Sequence, residues 1–261
     1  MNLDTINAYG DELYAALRAR RTVAPLTSRV ADLTIDDAYL ISRRLLACRL
    51  SAGERLVGKK IGVTSKVVQV ALGVHQPDFG YLTDAMRFED GAELPISTRL
   101  IAPRAEGEIA FVLERDLKGP GVTPEDVLAA TAFVRPCFEI VDSRIADWKI
   151  KIQDTIADNA SSGMFVLGGE ALSPRGLDLV TCGMVVWKNG EVLSTGAGAA
   201  ALGSPLNCVA WLANTLGERG VSLLAGETIL SGSLVPLEPV KAGDHMHLRI
   251  AGLGEVSVRF G

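Results

Sequence analysis

The stretch Pro103-Arg104-Ala105-Glu106-Gly107-Glu108-Ile109-Ala110-Phe111-Val112-Leu113 decides how the rest of the chain is read. Side chains alternate faces along a strand, so Glu106 and Glu108 share one face, about 7 Å apart. Ile109, Phe111 and Leu113 take the other face and are large and apolar. Carboxylates on a strand with so apolar a back are costly to half-bury without a counter-charge. A third acid, Glu139, stands in Cys137-Phe138-Glu139-Ile140-Val141, which otherwise reads as a buried strand. Three carboxylates converging from two strands make an oxygen-ligand site for Mg²⁺ or Mn²⁺, with positions left for substrate and water. The same spacing also fits a solvated strand face with one acid paired to Arg104 or Arg144, and structural ion pairs are the commoner arrangement.

Upstream of this strand the pattern is helical. Ile6, Leu13 and Leu17 recur at helical spacing after Asp4, a candidate cap. Thr34 stands three residues ahead of Asp37, a capping-box start for a helix carrying Leu40, Ile41, Leu45 and Cys48 that Gly53 ends. From Leu56 onward short apolar runs and Gly-rich turns take over. Ser65, Thr123-Pro124 and Ser204-Pro205 open short helices within that part, the one from Ser65 stopping at Gly73. Met184-Val185-Val186-Trp187 and Val192-Leu193 flank Asn189-Gly190, a hairpin signal, and two further strand pairs are expected around Ala242-Gly243-Asp244 and Gly252-Leu253-Gly254. The 27 glycines suit a curled β-structure rather than a parallel βαβ array. The expectation is an α+β fold, with a helical N-terminal region over residues 1–55 and a β-rich catalytic domain over 56–261.

The bulk numbers exclude several classes. A net charge of −5, with no clustered Lys and Arg, leaves no footprint for a nucleic-acid polyanion. The N-terminus lacks a signal-peptide build and no apolar run is long enough for a membrane span, so a cytoplasmic enzyme is expected. Cys48, Cys137, Cys182 and Cys208 are widely spaced, as small buried hydrophobes in a reducing compartment would be. No Ser-His-Asp order, phosphate loop or GxGxxG is present. Taken alone, Lys60 in Gly58-Lys59-Lys60-Ile61-Gly62 reads as a surface lysine, and Asp78 in Gln76-Pro77-Asp78-Phe79-Gly80 as a turn residue. Asp158-Asn159-Ala160-Ser161-Ser162-Gly163 reads as a polar turn that caps a helix or binds an oxyanion, capping being the commoner role; His245 and His247 read as strand residues, and His75, near Asp78, as a loop residue or a participant in chemistry, the loop role being the commoner.

Six segments in order carry a resemblance: GKKIGVTSK, GVHQPDFGYL, PRAEGEIAFVL, Glu139 to Arg144, ADNASSG and GAGAAALGSPLNCVAWLANTLG. Together they resemble the 2-hydroxypenta-2,4-dienoate (2-oxopent-4-enoate) hydratases of aromatic meta-cleavage pathways, in the fumarylacetoacetate-hydrolase-like superfamily. The resemblance implies a helical N-terminal part followed by a mixed β-sheet roll. It implies Glu106, Glu108 and Glu139 as ligands of Mg²⁺ or Mn²⁺, Lys60 and Asp78 as acid/base residues, and Ser161 and Ser233 as substrate contacts. The implied reaction adds water to a 2-hydroxydienoate to give a 4-hydroxy-2-oxo acid. The sister activity is decarboxylation of a 2-oxo-3-enedioate such as 4-oxalocrotonate; Asp78 separates the two, because decarboxylase-like sequences carry an apolar residue there. A non-catalytic partner subunit would be expected to lose one of the three acids, and all are present. The resemblance further implies a homo-oligomer, and an association with a homologous 4-oxalocrotonate decarboxylase.

Overall fold

The computed structural model describes residues 1–261, the side chain of residue 71 excepted. Two long helices come first, α1 (Leu3–Ala19) and α2 (Ile35–Ser51). The cap of α1 is Asn2 rather than Asp4: its side chain accepts from the Thr5 amide at 2.8 Å, while Asp4 lies inside the first turn, where its charge still meets the helix dipole. Thr34 and Asp37 form the reciprocal capping box of α2. There follow β1 (Leu56–Gly62), α3 (Lys66–Leu72), β2 (Asp78–Thr83), β3 (Arg87–Glu89), β4 (Glu93–Leu94), α4 (Ile96–Arg99) and β5 (Arg104–Leu113). Next come α5 (Pro124–Ala130), β6 (Thr131–Val141), α6 (Ile152–Ala157), β7 (Ser162–Leu167), β8 (Gly183–Lys188) and β9 (Glu191–Ala197). The chain closes with α7 (Pro205–Gly217), β10 (Thr228–Leu230), β11 (Glu238–Pro239), β12 (His245–Ile250) and β13 (Gly254–Phe260).

The strands form two mixed sheets. The larger runs β2-β1-β10-β5-β6-β7-β3, with β11 also paired to β5, and the smaller runs β4-β13-β12-β8-β9. The Asn189-Gly190 hairpin joins β8 to β9 as expected, and Gly252–Gly254 joins β12 to β13. The turn at Ala242-Gly243-Asp244 does something else. It carries the chain from β11 in the large sheet to β12 in the small one, so no strand pair forms across it. Its Gly signal was read correctly as a turn, but turn chemistry does not say which sheet the next strand joins.

The centre of the fold is β5, whose apolar back is fully buried at Ile109, Phe111 and Leu113. The small sheet packs on this back. Met184 of β8 and Leu248 of β12 fill the space where Gly107 lacks a Cβ, which is why a glycine separates the two glutamates. On the other flank α2 packs against α6, and the Tyr39 ring stacks on Phe79 of β2 at 4.2 Å. One continuous apolar core runs from Leu13 and Ile41 of the first helices through Phe111 to Leu248. Among the described residues, no helix is long and apolar enough to cross a membrane.

Candidate metal centre and active-site cavity

Strand register assembles the acids. Glu106 on β5 lies directly opposite Glu139 on β6, so the two project from the same face. Glu108, two residues on, shares that face, and one oxygen from each of the three carboxylates lies within 4.8 Å of the others. Lys60 on β1 is buried at 2% exposure, and its Nζ lies 3.1 Å from Oε1 of Glu139. Asp78 is buried at 1% exposure and pairs with Gly62 across β1 and β2, on the side of the sheet that carries Lys60. A Cβ at Gly62 would collide with Oδ1 of Asp78 and lie 3.3 Å from the Lys60 ammonium, so glycine leaves both groups their space.

Lys60 is therefore not on the surface, and Asp78 opens a strand rather than sitting in a turn. The physical reason is that β1 is covered on both faces. Its consecutive lysines each need a carboxylate, and Lys59, facing the other way, pairs with Glu227 at 2.6 Å. Neither arginine neutralises the acidic cluster either. Arg144 is committed to Asp158, at 2.5 Å and 1% exposure, and the Arg104 guanidinium lies over the Trp148 ring at 4.4 Å.

The cluster is short of hydrogen-bond partners. Both oxygens of Asp78, both of Glu139 and Oε1 of Glu108 are buried without one. The Lys60 ammonium is within ion-pair distance of Glu139 but off the hydrogen-bond direction. The remaining Glu108 oxygen accepts from the Gly232 amide at 2.8 Å. Buried polar atoms are rarely left orphaned, and an all-oxygen set of this kind fits a hard divalent cation. Burial, then the charge of Glu139, pushes Glu106 up to about 7. Burial and the neighbouring Glu139 and Glu106 hold Glu108 well above its ordinary range, and burial raises Glu139 and Asp78 against the pull of Lys60. Burial alone would depress Lys60; Glu139, Asp78, Glu106 and Glu108 outweigh it and hold the ammonium charged.

A cavity of about 400 Å³ opens over this cluster. Lys60, Asp78, Glu106, Ser161 and Ser233 line its polar end, while Glu108 and Glu139 are not among its lining residues. Ser161 is presented by an unusual backbone: Asn159, Ala160 and Ser161 all take left-handed conformations, with φ of 56°, 49° and 55°. Such residues cost about 1–3 kcal/mol each and persist only where the surroundings hold them. Here Arg144 donates to Asp158 and to the Ser162 carbonyl, and the Asn159 side chain bridges the amide and carbonyl of Tyr81. Asp158 closes α6 with its backbone while its side chain caps no helix, and Arg144, Asp158 and Asn159 hold this loop, a role that sequence reasoning missed. Arg144 and Asp158 stand 14 residues apart, and nothing local couples them. Ser233 follows Gly232 (φ 96°) and donates to the Val235 carbonyl at 2.6 Å. Among the described residues no histidine lines the cavity; His75 and His245 are exposed and His247 stands against Trp187.

The chain belongs to the fumarylacetoacetate (FAA) hydrolase family, whose C-terminal domain matches residues 65–260. Among relatives, the chain is 70% identical to a 2-hydroxypent-2,4-dienoate hydratase of Pseudomonas putida, over 85% of this chain and 100% of that one. It is 58% identical to a 2-hydroxyhexa-2,4-dienoate hydratase of Comamonas testosteroni, over 98% of this chain and 97% of the other. Among solved structures it is similar to a 4-oxalocrotonate decarboxylase from Pseudomonas putida G7 complexed with magnesium and adipate. That match has a TM-score of 0.97 and 38% identity, and covers 100% of this chain and 99% of that one.

The cluster's electrostatics predict a pH dependence. Glu106 holds its proton up to about 7 in the folded, cation-free protein, against 4.5 ordinarily. The folded state then binds more protons than the unfolded one between those values, so cation-free stability falls as pH rises through that window. A divalent cation competes with the same proton, and its stabilising effect should grow over the same interval. The rise in melting temperature on adding Mg²⁺ is expected to be smaller at pH 5.5 than at pH 7.5. A gain that is flat across this range would show that the carboxylates do not hold the cation.

Proposed function

We propose that this chain is a divalent-metal-dependent hydro-lyase of aromatic meta-cleavage degradation. It converts 2-hydroxypenta-2,4-dienoate (2-oxopent-4-enoate) to 4-hydroxy-2-oxopentanoate, with residues 1–55 as a helical cover and 56–261 as the catalytic part. The observation that carries this reading is the placement of Asp78 and Lys60 beside the Glu106, Glu108 and Glu139 cluster, in which Glu108 and Glu139 have buried oxygens without a hydrogen-bond partner. Glu106, Glu108 and Glu139 would hold Mg²⁺ or Mn²⁺, and the ion would supply Lewis acidity to stabilise negative charge developing on the substrate. Ser161 and Ser233 contact the substrate at the same end. Lys60 and Asp78 move the protons: one leaves the 2-hydroxyl, one arrives at C5, and the resulting α,β-unsaturated ketone is electrophilic at C4. Water then adds at C4, giving up one proton to a base while C3 receives one. Asp78, with no directed hydrogen bond of its own, is assigned to the water.

The charge distribution also separates this reading from decarboxylation of a dienedioate. Among the described residues lining the cavity, only Lys60, Asp78 and Glu106 are charged, and Lys60 is committed to Glu139. A second, distal carboxylate on the substrate would be desolvated there without a cation. Mixing the protein with 2-hydroxypenta-2,4-dienoate should therefore abolish its ultraviolet absorbance in the presence of Mg²⁺ or Mn²⁺. Release of CO₂ from 4-oxalocrotonate, with no turnover of the dienoate, would overturn the assignment.

The same reading includes a homo-oligomer, supported by Leu3, Leu40 and Leu50, which leave apolar surface exposed on the two N-terminal helices. Sedimentation at micromolar concentration should show a species larger than a monomer; a monomer throughout would exclude it.

A further inference from the structure

Ser161 lines the cavity from a left-handed backbone, but that backbone leaves the rotation of its hydroxyl open. The group that meets this hydroxyl is Thr155 of α6, whose Oγ1 lies 3.3 Å from the Ser161 Oγ. Both residues line the cavity and both are buried. Among the described residues, neither hydroxyl has another hydrogen-bond partner. A helical threonine can turn its hydroxyl back onto the carbonyl four residues earlier; Thr155 turns it to Ser161 instead.

Thr155 is held there from outside the cavity. Its neighbour Asp154 is fully buried, and the Asp154 carboxylate accepts from the Lys151 amide at 2.9 Å. The same carboxylate accepts from the Thr27 amide at 3.0 Å and the Thr27 hydroxyl at 2.7 Å. Thr27 lies between α1 and α2, and α2 packs on α6, so the N-terminal helices anchor the helix that carries Thr155.

Two hydroxyls bonded to each other use one of their two protons. With Ser161 as donor, its oxygen offers the cavity only lone pairs. With Thr155 as donor, the Ser161 proton is free, and the bond it accepts polarises it further. An anionic substrate oxygen can only accept, so it selects the second arrangement. We propose that Thr155 is a positioning residue that donates to Ser161 and turns the Ser161 proton toward an oxygen of the bound 2-oxo acid. The proposal rests on the reading of Ser161 as a substrate contact. The 3.3 Å separation exceeds the usual O–H···O distance of about 2.7–2.8 Å, and it should shorten when substrate engages Ser161.

A double-mutant cycle on the Mg²⁺-loaded protein tests this. Thr155→Val deletes the hydroxyl and keeps its volume, Thr155→Ala deletes both, and Thr155→Ser keeps the hydroxyl. Thr155→Val is also combined with Ser161→Ala. Calorimetry gives the Kd of 2-oxopentanoate, a saturated acid that cannot be hydrated, and kinetics give kcat/KM for 2-hydroxypenta-2,4-dienoate. Thr155→Val and Thr155→Ala should each weaken both by about three- to tenfold, the scale of one neutral hydrogen bond. Thr155→Ser should recover most of that loss. In the Ser161→Ala background, Thr155→Val should cost less than about twofold, because the group it acts through is gone. Equal losses in the Val, Ala and Ser variants overturn the inference, as does a Thr155→Val loss that Ser161→Ala leaves undiminished. Turnover of the dienoate with Thr155→Val at wild-type values in both quantities overturns the inference alone. The expected cycle in binding, without turnover of the dienoate by the wild type, supports it and overturns the hydratase reading instead.

Discussion

Asp78→Asn is expected to lower the rate of hydration by about two to four orders of magnitude, the usual scale for loss of a general acid or base. The substitution keeps the side chain's size but removes its charge. Gly62 leaves room for the Asp78 side chain, and an isosteric amide takes up the same space. Metal affinity should change little, because Asp78 is outside the three-carboxylate group. Ketonisation of the dienol, read as deuterium uptake at the substrate's carbons, is expected to outlast hydration. The assignment gives Asp78 the water and leaves the 2-oxygen to other groups. Lys60→Met should impair both steps, and it also strands the Glu139 charge that Lys60 balances. Hydration by Asp78→Asn at the wild-type rate would reduce Asp78 to a structural residue and remove the main distinction from a decarboxylase.

The other large effect concerns the cluster. Chelation should abolish turnover, and Mg²⁺ or Mn²⁺ should restore it. Glu108→Gln should weaken cation binding by more than the ~10–100-fold that changes outside the ligand set cost. It should not unfold the protein. Glu108 is buried beside two further carboxylates, and its proton affinity is raised by that burial and by their charge, so an amide relieves repulsion in the cation-free state. The amide retains an oxygen for the Gly232 N–H. Thermal unfolding separates the effects: without cation the variant should melt at or above the wild-type temperature, and added Mg²⁺ should raise the wild type far more than the variant. Full activity of Glu108→Gln in the presence of chelator would sink the ligand assignment.

Much of the local chemistry was legible where one segment contained the signal, although the cap of α1 fell on Asn2 rather than Asp4. Alternation along Arg104–Leu113 placed Glu106 and Glu108 on one face and a core on the other, because a strand's period of two needs no partner. Ser65, Thr34, Thr123 and Ser204 each begin the helix expected of them, since an N-cap is settled within four residues. The ordered segments that resemble dienoate hydratases pointed to the family and to Glu106, Glu108, Glu139, Lys60 and Asp78 as candidates, without saying how these meet.

Tertiary structure decided the rest, and it did so through register and burial. Glu139 joins Glu106 because β6 pairs with β5 at that alignment; a slip of one residue would turn it into the opposite face. Lys60 looks like a surface lysine until β2 and β10 flank β1, and the helices cover it, after which its charge must be met by Glu139. Arg144 was free in sequence to neutralise the acids, yet the fold commits it to Asp158 and so to the left-handed loop that presents Ser161. Whether a charged side chain is a solvated ornament or a buried functional group depends on what packs over it. That is set by contacts between segments far apart in the chain, which no local pattern encodes.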